Sequence, residues 1–248
     1  MLLLDIGNTR IKAAVLENGR VKVVSSVSHN GSWASVVGEL SLSQAPTSIH
    51  IASVAGPNVE KAVSAAFVGR CGLKPVFYRA VANAAGVRNG YREPGRLGVD
   101  RWMAIIAAYS RVRGAVCVVD CGTTITVDLV GASGQHQGGF IVPGLMMAKK
   151  SLLNGAKEVD VPEGDALCGL SWGRSTEEAV CHGLLFSSVA FIERAFGAFK
   201  ATDSAANLLL TGGDASALAV HLEFAQTVPE LVLEGIHCSA TIHSESGY

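Results

Sequence analysis

The feature that most constrains this chain is a repeat at half its length. Leu3-Leu4-Asp5-Ile6-Gly7-Asn8-Thr9 and Val118-Val119-Asp120-Cys121-Gly122-Thr123-Thr124 share one pattern: apolar, apolar, Asp, any residue, Gly, polar, Thr. Their aspartates lie 115 residues apart in a chain of 248. Both copies run on as strand patterns. After the first come Ala13–Leu16, an Asn18-Gly19 turn and Val21–Val24, the signature of a tight hairpin. After the second, Val127–Val130 leads through a loop over Gly131–Gln137 to Gly138–Val142, a hairpin with a longer connection. Two such halves predict an α/β fold, each half a mixed sheet flanked by helices. The boundary is expected after Gly114, giving halves 1–114 and 115–248.

Helical patterns follow each hairpin. Asp100–Arg111 places apolar residues at helical spacing and ends on a basic turn, and Ser175–Ala195 opens on a Ser-x-x-Glu capping box at Ser175 and Glu178. With 49% apolar and 17% charged residues, a chain of this length can bury a sizeable core. The net charge is −1 and no basic block occurs, so nucleic acid is not an expected partner. The N-terminus has no basic segment before its short apolar run, and no apolar run reaches the ~18 residues of a membrane span. A cytoplasmic protein is expected. The cysteines form no close Cys-x-x-Cys pair and the histidines no His-x-x-His pair, so both types are expected to be structural rather than metal ligands.

The repeated Asp-x-Gly-polar-Thr corner is a sensible place for phosphate and metal. Its glycine lets backbone N–H groups approach phosphate oxygens, and the Asn or Thr side chains add donors. A carboxylate repels phosphate, so it must hold a cation; Mg²⁺ bridging phosphate oxygens fits that role. The same residues also suit a β-turn in which Asp and Asn cap the backbone. Two copies in one context favour a two-armed clamp on a polyphosphate. Thr211-Gly212-Gly213-Asp214 follows the strand-like Leu208–Leu210, and its glycine pair would let a flat base or ribose lie on the backbone. The alternative there is a strand-to-helix turn with Asp214 as N-cap.

A turn-rich stretch, Asn89–Arg101, enters a helix at Asp100. A carboxylate there can accept a hydroxyl proton, while Arg101 and the helix N-terminus can hold an anionic substrate. The plainer reading makes Asp100 the helix N-cap and leaves Arg101 in solvent. No Gly-x-x-x-x-Gly-Lys-Ser/Thr occurs, which excludes a P-loop kinase, and no Gly-x-Ser-x-Gly occurs, which argues against an α/β-hydrolase.

In order and spacing, Asp5-Ile6-Gly7-Asn8-Thr9, Gly98-Val99-Asp100-Arg101, Asp120-Cys121-Gly122-Thr123-Thr124 and Thr211-Gly212-Gly213 resemble type III pantothenate kinase. Gly139–Gly144 and Gly173–Thr176 add to the likeness, which covers roughly Asp5 to Gly213. The resemblance implies an actin-like, ribonuclease H-like fold and transfer of phosphate from ATP to pantothenate, the first step of coenzyme A biosynthesis. It implies an ATP site over Asp5, Ile6, Gly7, Asn8, Thr9, Arg10, Ile11 and Lys12 with Thr123, and Asp5 near Mg²⁺, directly or through water. It further implies a monovalent cation, K⁺ or NH₄⁺, at Asp120. Pantothenate contacts would come from Tyr91, Gly98, Val99, Asp100, Arg101 and Thr176, with Asp100 as catalytic base. Family members are homodimers, and Val159–Gly169 is expected to reach across the dimer. Two rivals share the fold: a nucleotide-binding regulatory protein, and a kinase for another small hydroxylated substrate. The intact Gly98–Arg101 segment argues against the first, since a switch needs no base.

Overall fold

A computed structural model describes residues 1–8, 10–28, 33–40, 42, 45–155 and 169–245. Thr9 and Val159–Cys168 therefore lie outside the described residues. The chain divides into two compact units, one of Met1–Arg111 with the residues from Glu230 onward, the other of Val112–Pro229.

The first unit opens with β1 (Leu2–Ile6), β2 (Arg10–Glu17) and β3 (Arg20–Ser28), then α1 (Trp33–Glu39), β4 (Ile49–Ser53), α2 (Pro57–Cys71) and β5 (Val76–Phe77). A two-stranded ribbon, β6 (Asn83–Ala84) and β7 (Val87–Arg88), precedes α3 (Val99–Val112). The sheet order is β3-β2-β1-β4-β5. The β1–β2–β3 meander is antiparallel, and β1, β4 and β5 run parallel. Asn18 and Gly19 both have positive φ, which is what a two-residue hairpin between right-twisted strands requires. The central β1 is buried apart from Asp5, as its unbroken Leu2-Leu3-Leu4 run predicts. Leu2, Leu4 and Ile6 pack with Ile49, Ile51, Val63 and Phe67.

The second unit repeats this plan with β8 (Val116–Cys121), β9 (Thr124–Val130), β10 (His136–Pro143), α4 (Leu145–Gly155), α5 (Thr176–Lys200), β11 (Asn207–Thr211), α6 (Ala215–Ala219) and β12 (Ala225–Thr227). Its order, β10-β9-β8-β11-β12, has the same antiparallel and parallel sense strand for strand. Ser175 caps α5 as expected, accepting from the Glu178 N–H at 3.1 Å, while the Glu178 carboxylate returns to the Arg174 N–H at 2.7 Å rather than to that of Ser175. By length and composition alone α5 could cross a membrane. In this fold Leu185, Val189, Ile192, Phe196 and Phe199 of α5 join Cys117, Val119 and Cys121 of β8 in the core of the unit.

The last helix, α7 (Leu231–Glu245), packs on β1 and β4. It belongs to the first unit rather than to the expected second half 115–248. Nothing local in its sequence marks the change; its partners stand more than a hundred residues earlier.

Candidate active site

The repeated motif closes the first hairpin of each unit. Asp5 is the penultimate residue of β1, directly opposite Lys12 across the ladder. Asp120 is the penultimate residue of β8, opposite Thr126 on one side and Thr211 on the other. In each copy the glycine N–H turns the chain back: Gly7 donates to the Arg10 carbonyl at 3.0 Å, and Gly122 to the Thr124 carbonyl at 3.0 Å. The second turn is one residue shorter, because Cys121 pairs with Ile125 whereas Ile6 pairs with Ile11. Asn8 and Arg10 are exposed and Lys12 half-buried, so this loop offers polar groups to solvent beside a half-buried carboxylate.

Two glycines hold the second loop from opposite sides. A Cβ on Gly144 would lie 2.1 Å from the Gly122 carbonyl oxygen, and the Gly144 N–H donates to the Thr123 carbonyl at 3.0 Å. The start of α4 is thus pressed against the Gly122–Thr123 backbone. Gly212, at φ +94, lies so close that a Cβ would fall 2.4 Å from Asp120 Oδ1 and from the Cys121 carbonyl oxygen. Asp214 donates its N–H to that carbonyl at 2.9 Å. It stands at the N-cap of α6 but makes no side-chain capping bond. Burial pushes the Cys121 thiol up to about 12, with the Asp120 and Asp214 carboxylates adding to the rise, so both charges act on one spot. That neighbourhood escaped the sequence reading, which took Asp214 as a possible cap. The glycine pair beside it was the available signal.

The Asn89–Arg101 stretch is rigidly built. Asn89 donates its side-chain amide to the Val81 and Pro94 carbonyls at 3.2 Å each, and its Oδ1 accepts from the Tyr91 N–H at 3.0 Å. The helix α3 starts at Val99, one residue before the expected Asp100, and Trp102 N–H bonds the Gly98 carbonyl at 2.9 Å. Asp100 therefore sits inside the first turn and is not the N-cap. Its Oδ1 accepts from the Arg101 N–H at 2.7 Å. The carboxylate folds back over Gly98, where a Cβ would be 2.6 Å from it. Arg101 is not in solvent. It is 7% exposed, donates to the Tyr91 hydroxyl at 2.7 Å and lies over the Tyr91 ring at 5.6 Å, an arrangement that fixes its guanidinium. Tyr91, Gly98, Val99, Asp100 and Arg101 thus form one cluster. Thr176 begins α5 in the other unit and is exposed.

Among the described residues the cysteines, Cys71, Cys117, Cys121, Cys181 and Cys238, are free thiols; burial, followed by the Asp128 charge, also pushes Cys117 up to about 12. Neither Cys117 nor Cys121 is a thiolate near neutral pH.

Comparison with known proteins identifies the family. The family model for type III pantothenate kinase matches residues 1–198. A type III pantothenate kinase of Alcanivorax borkumensis is 39% identical over 241 residues, covering 95% of this chain and 96% of the relative. One from Chromohalobacter salexigens is 36% identical over 243 residues, covering 95% and 85%. Among solved structures, a protein of Campylobacter jejuni named as a Baf family transcriptional activator superposes with a TM-score of 0.65 at 21% identity, covering 99% of this chain and all of that one. The ethanolamine utilization protein EutJ of Carboxydothermus hydrogenoformans gives 0.56 at 15% identity, covering 96% and 89%. At these identities the structural likenesses speak for the fold alone, the actin-like α/β fold.

Proposed function

The chain belongs to the type III pantothenate kinase family, and from that membership we propose which of its residues carry out the ATP-dependent phosphorylation of pantothenate in coenzyme A biosynthesis. The observation that carries the proposal is the Tyr91–Asp100–Arg101 cluster on the first turn of α3. Arg101, fixed by Tyr91, holds the pantothenate carboxylate; Gly98, Val99 and Thr176 complete the substrate contacts. Asp100, exposed enough to meet a ligand and aimed by the Arg101 N–H, accepts the proton of the primary hydroxyl as it attacks the γ-phosphate. The products are 4′-phosphopantothenate and ADP.

The Asp5 loop, from Asp5 through Lys12, and Thr123 in the Asp120 loop hold nucleotide phosphates on backbone N–H groups and hydroxyls. A divalent cation such as Mg²⁺ at Asp5 would neutralise charge on those phosphates, for which a hard carboxylate oxygen is suited. Phosphoryl transfer has a loose transition state, so positioning and charge neutralisation outweigh base strength.

Asp120 is one carboxylate more than the divalent ion requires, in a site that must hold polyphosphate. It is proposed to hold K⁺ or NH₄⁺. Replacing K⁺ by Na⁺ in a pantothenate-dependent ADP assay is expected to slow turnover; equal rates in the two salts would remove the cation from Asp120.

The partner is proposed to be a second copy of the chain, in a soluble cytoplasmic enzyme. On the second unit, the edge strand β10 exposes Phe140 and Ile141, the adjoining α4 exposes Met146 and Met147, and Trp172 is 92% exposed. Large apolar side chains exposed in this number on one unit suit burial against a partner. Light scattering is expected to give twice the mass of 25.7 kDa; a monomer at assay concentration would contradict this.

A further inference from the structure

The C-terminal stretch carried no motif, yet it returns to the unit that bears Asp100 and Arg101. We infer that α7 sets the position of the first turn of α3, and that Gly235 is the positioning residue through which it does so.

The two helices approach to backbone contact. A Cβ on Gly235 would lie 1.9 Å from the carbonyl oxygen of Met103, 2.5 Å from its carbonyl carbon and 2.8 Å from its Cα. All three are backbone atoms, so no side chain can rotate out of the way. Met103 comes two residues after Arg101 and three after Asp100 on the same helix, with the fully buried Trp102 between. Glycine is a poor helix former, and its place inside α7 is explained by this approach.

The same face of α7 holds α3 at two further points. The Ser239 hydroxyl lies 3.5 Å from Met103 Sδ, in a buried contact. The Glu234 carboxylate lies 3.4 Å from Arg111 Nε near the far end of α3. Together with Gly235 they hold α3 to α7 at two places, Met103 and Arg111. Since α7 also packs on β1 and β4, it ties α3 to the central strands of the sheet. Any side chain at 235 must move one helix off the other by about 1 Å, and the first turn of α3 moves with it.

This inference rests on the assignment of Asp100 and Arg101 above. Its test compares Gly235→Ala with Asp100→Asn, each as the full chain, with a melting curve for both. Misplacing a reacting group by about 1 Å costs on the order of 10²-fold. Gly235→Ala is therefore expected to stay folded at the assay temperature and to lose at least about tenfold in kcat/KM for pantothenate, with KM for ATP unchanged. Should Gly235→Ala fail to fold, Ser239→Leu, which crowds the Met103 side chain but leaves the Gly235 contact alone, is expected to give a smaller loss with the same selectivity. Wild-type constants for pantothenate in the folded variant, or a KM for ATP raised as much as that for pantothenate, would overturn the inference while an inactive Asp100→Asn left the site assignment standing. An active Asp100→Asn would instead overturn the assignment on which the inference rests.

Discussion

Asp100→Asn is expected to lose at least about 10²-fold in kcat while binding ATP as the wild type does. The substitution is nearly isosteric. An Asn Oδ1 can still accept the Arg101 N–H that now bonds Asp100 at 2.7 Å, and Gly98 leaves the same room beneath it. What disappears is the ability to take a proton from the substrate hydroxyl. The loose character of phosphoryl transfer lowers the demand for a strong base, so the lower end of the usual 10²–10⁴-fold range for a positioned base is the safer expectation. ATP affinity, measured by calorimetry, separates this from collapse of the nucleotide site. A kcat near the wild-type value would take Asp100 out of the chemistry.

His136→Ala is expected to destabilise the second unit by about 3 kcal/mol, the cost of leaving a buried side chain without its hydrogen-bond partner. His136 Nε2 lies 2.9 Å from Asp128 Oδ1, and the two residues are 0% and 2% exposed. The pair sits where β9 and β10 slip register between His136 and Gly139, and Gly139 is pressed so close that a Cβ would meet the Val127 carbonyl oxygen at 1.9 Å. Deleting the imidazole deprives a buried carboxylate of a donor and opens a cavity beside an edge strand. At roughly 2–4 °C per kcal/mol for a chain this size, the melting temperature should fall by about 10 °C. Replacing both members with apolar residues of similar shape, Asp128→Leu with His136→Phe, is expected to recover much of that loss, because no buried polar group is left without a partner. A single variant within about 1 kcal/mol of wild type would show that the pair contributes little.

The parts of this protein legible in its sequence are those written locally. Asp-x-Gly at a strand end, Asn18-Gly19 between two apolar runs, and Ser175 three residues before Glu178 each specify their backbone within a few positions, and each appears as expected. The twofold repeat of those signals was enough to anticipate two sheets of one topology. Small offsets came from groups that compete for the same backbone. Asp100 reads as an N-cap, yet Gly98 supplies the first helical carbonyl and the helix starts at Val99. β10 begins at His136 rather than Gly138 because His136 pairs with Val130 before the bulge. The plainer reading left Arg101 in solvent because nothing in its neighbours reveals that Tyr91, ten residues earlier, closes over it.

What the sequence hid depends on contacts between distant segments. Gly144 against Gly122 and Gly235 against Met103 look like ordinary glycines until the fold brings backbone to backbone. The same holds for α7, whose apolar face carries no mark of which sheet it covers.

The most direct measurement is pantothenate-dependent ADP release by the purified wild-type chain with ATP, Mg²⁺ and K⁺, followed with the mass of the product. ADP formed in step with pantothenate consumed, and a product heavier by one phosphate, is the expected result. ATP bound without pantothenate-dependent turnover would contradict it, and would leave the Tyr91–Asp100–Arg101 cluster as a site for some other hydroxylated acid.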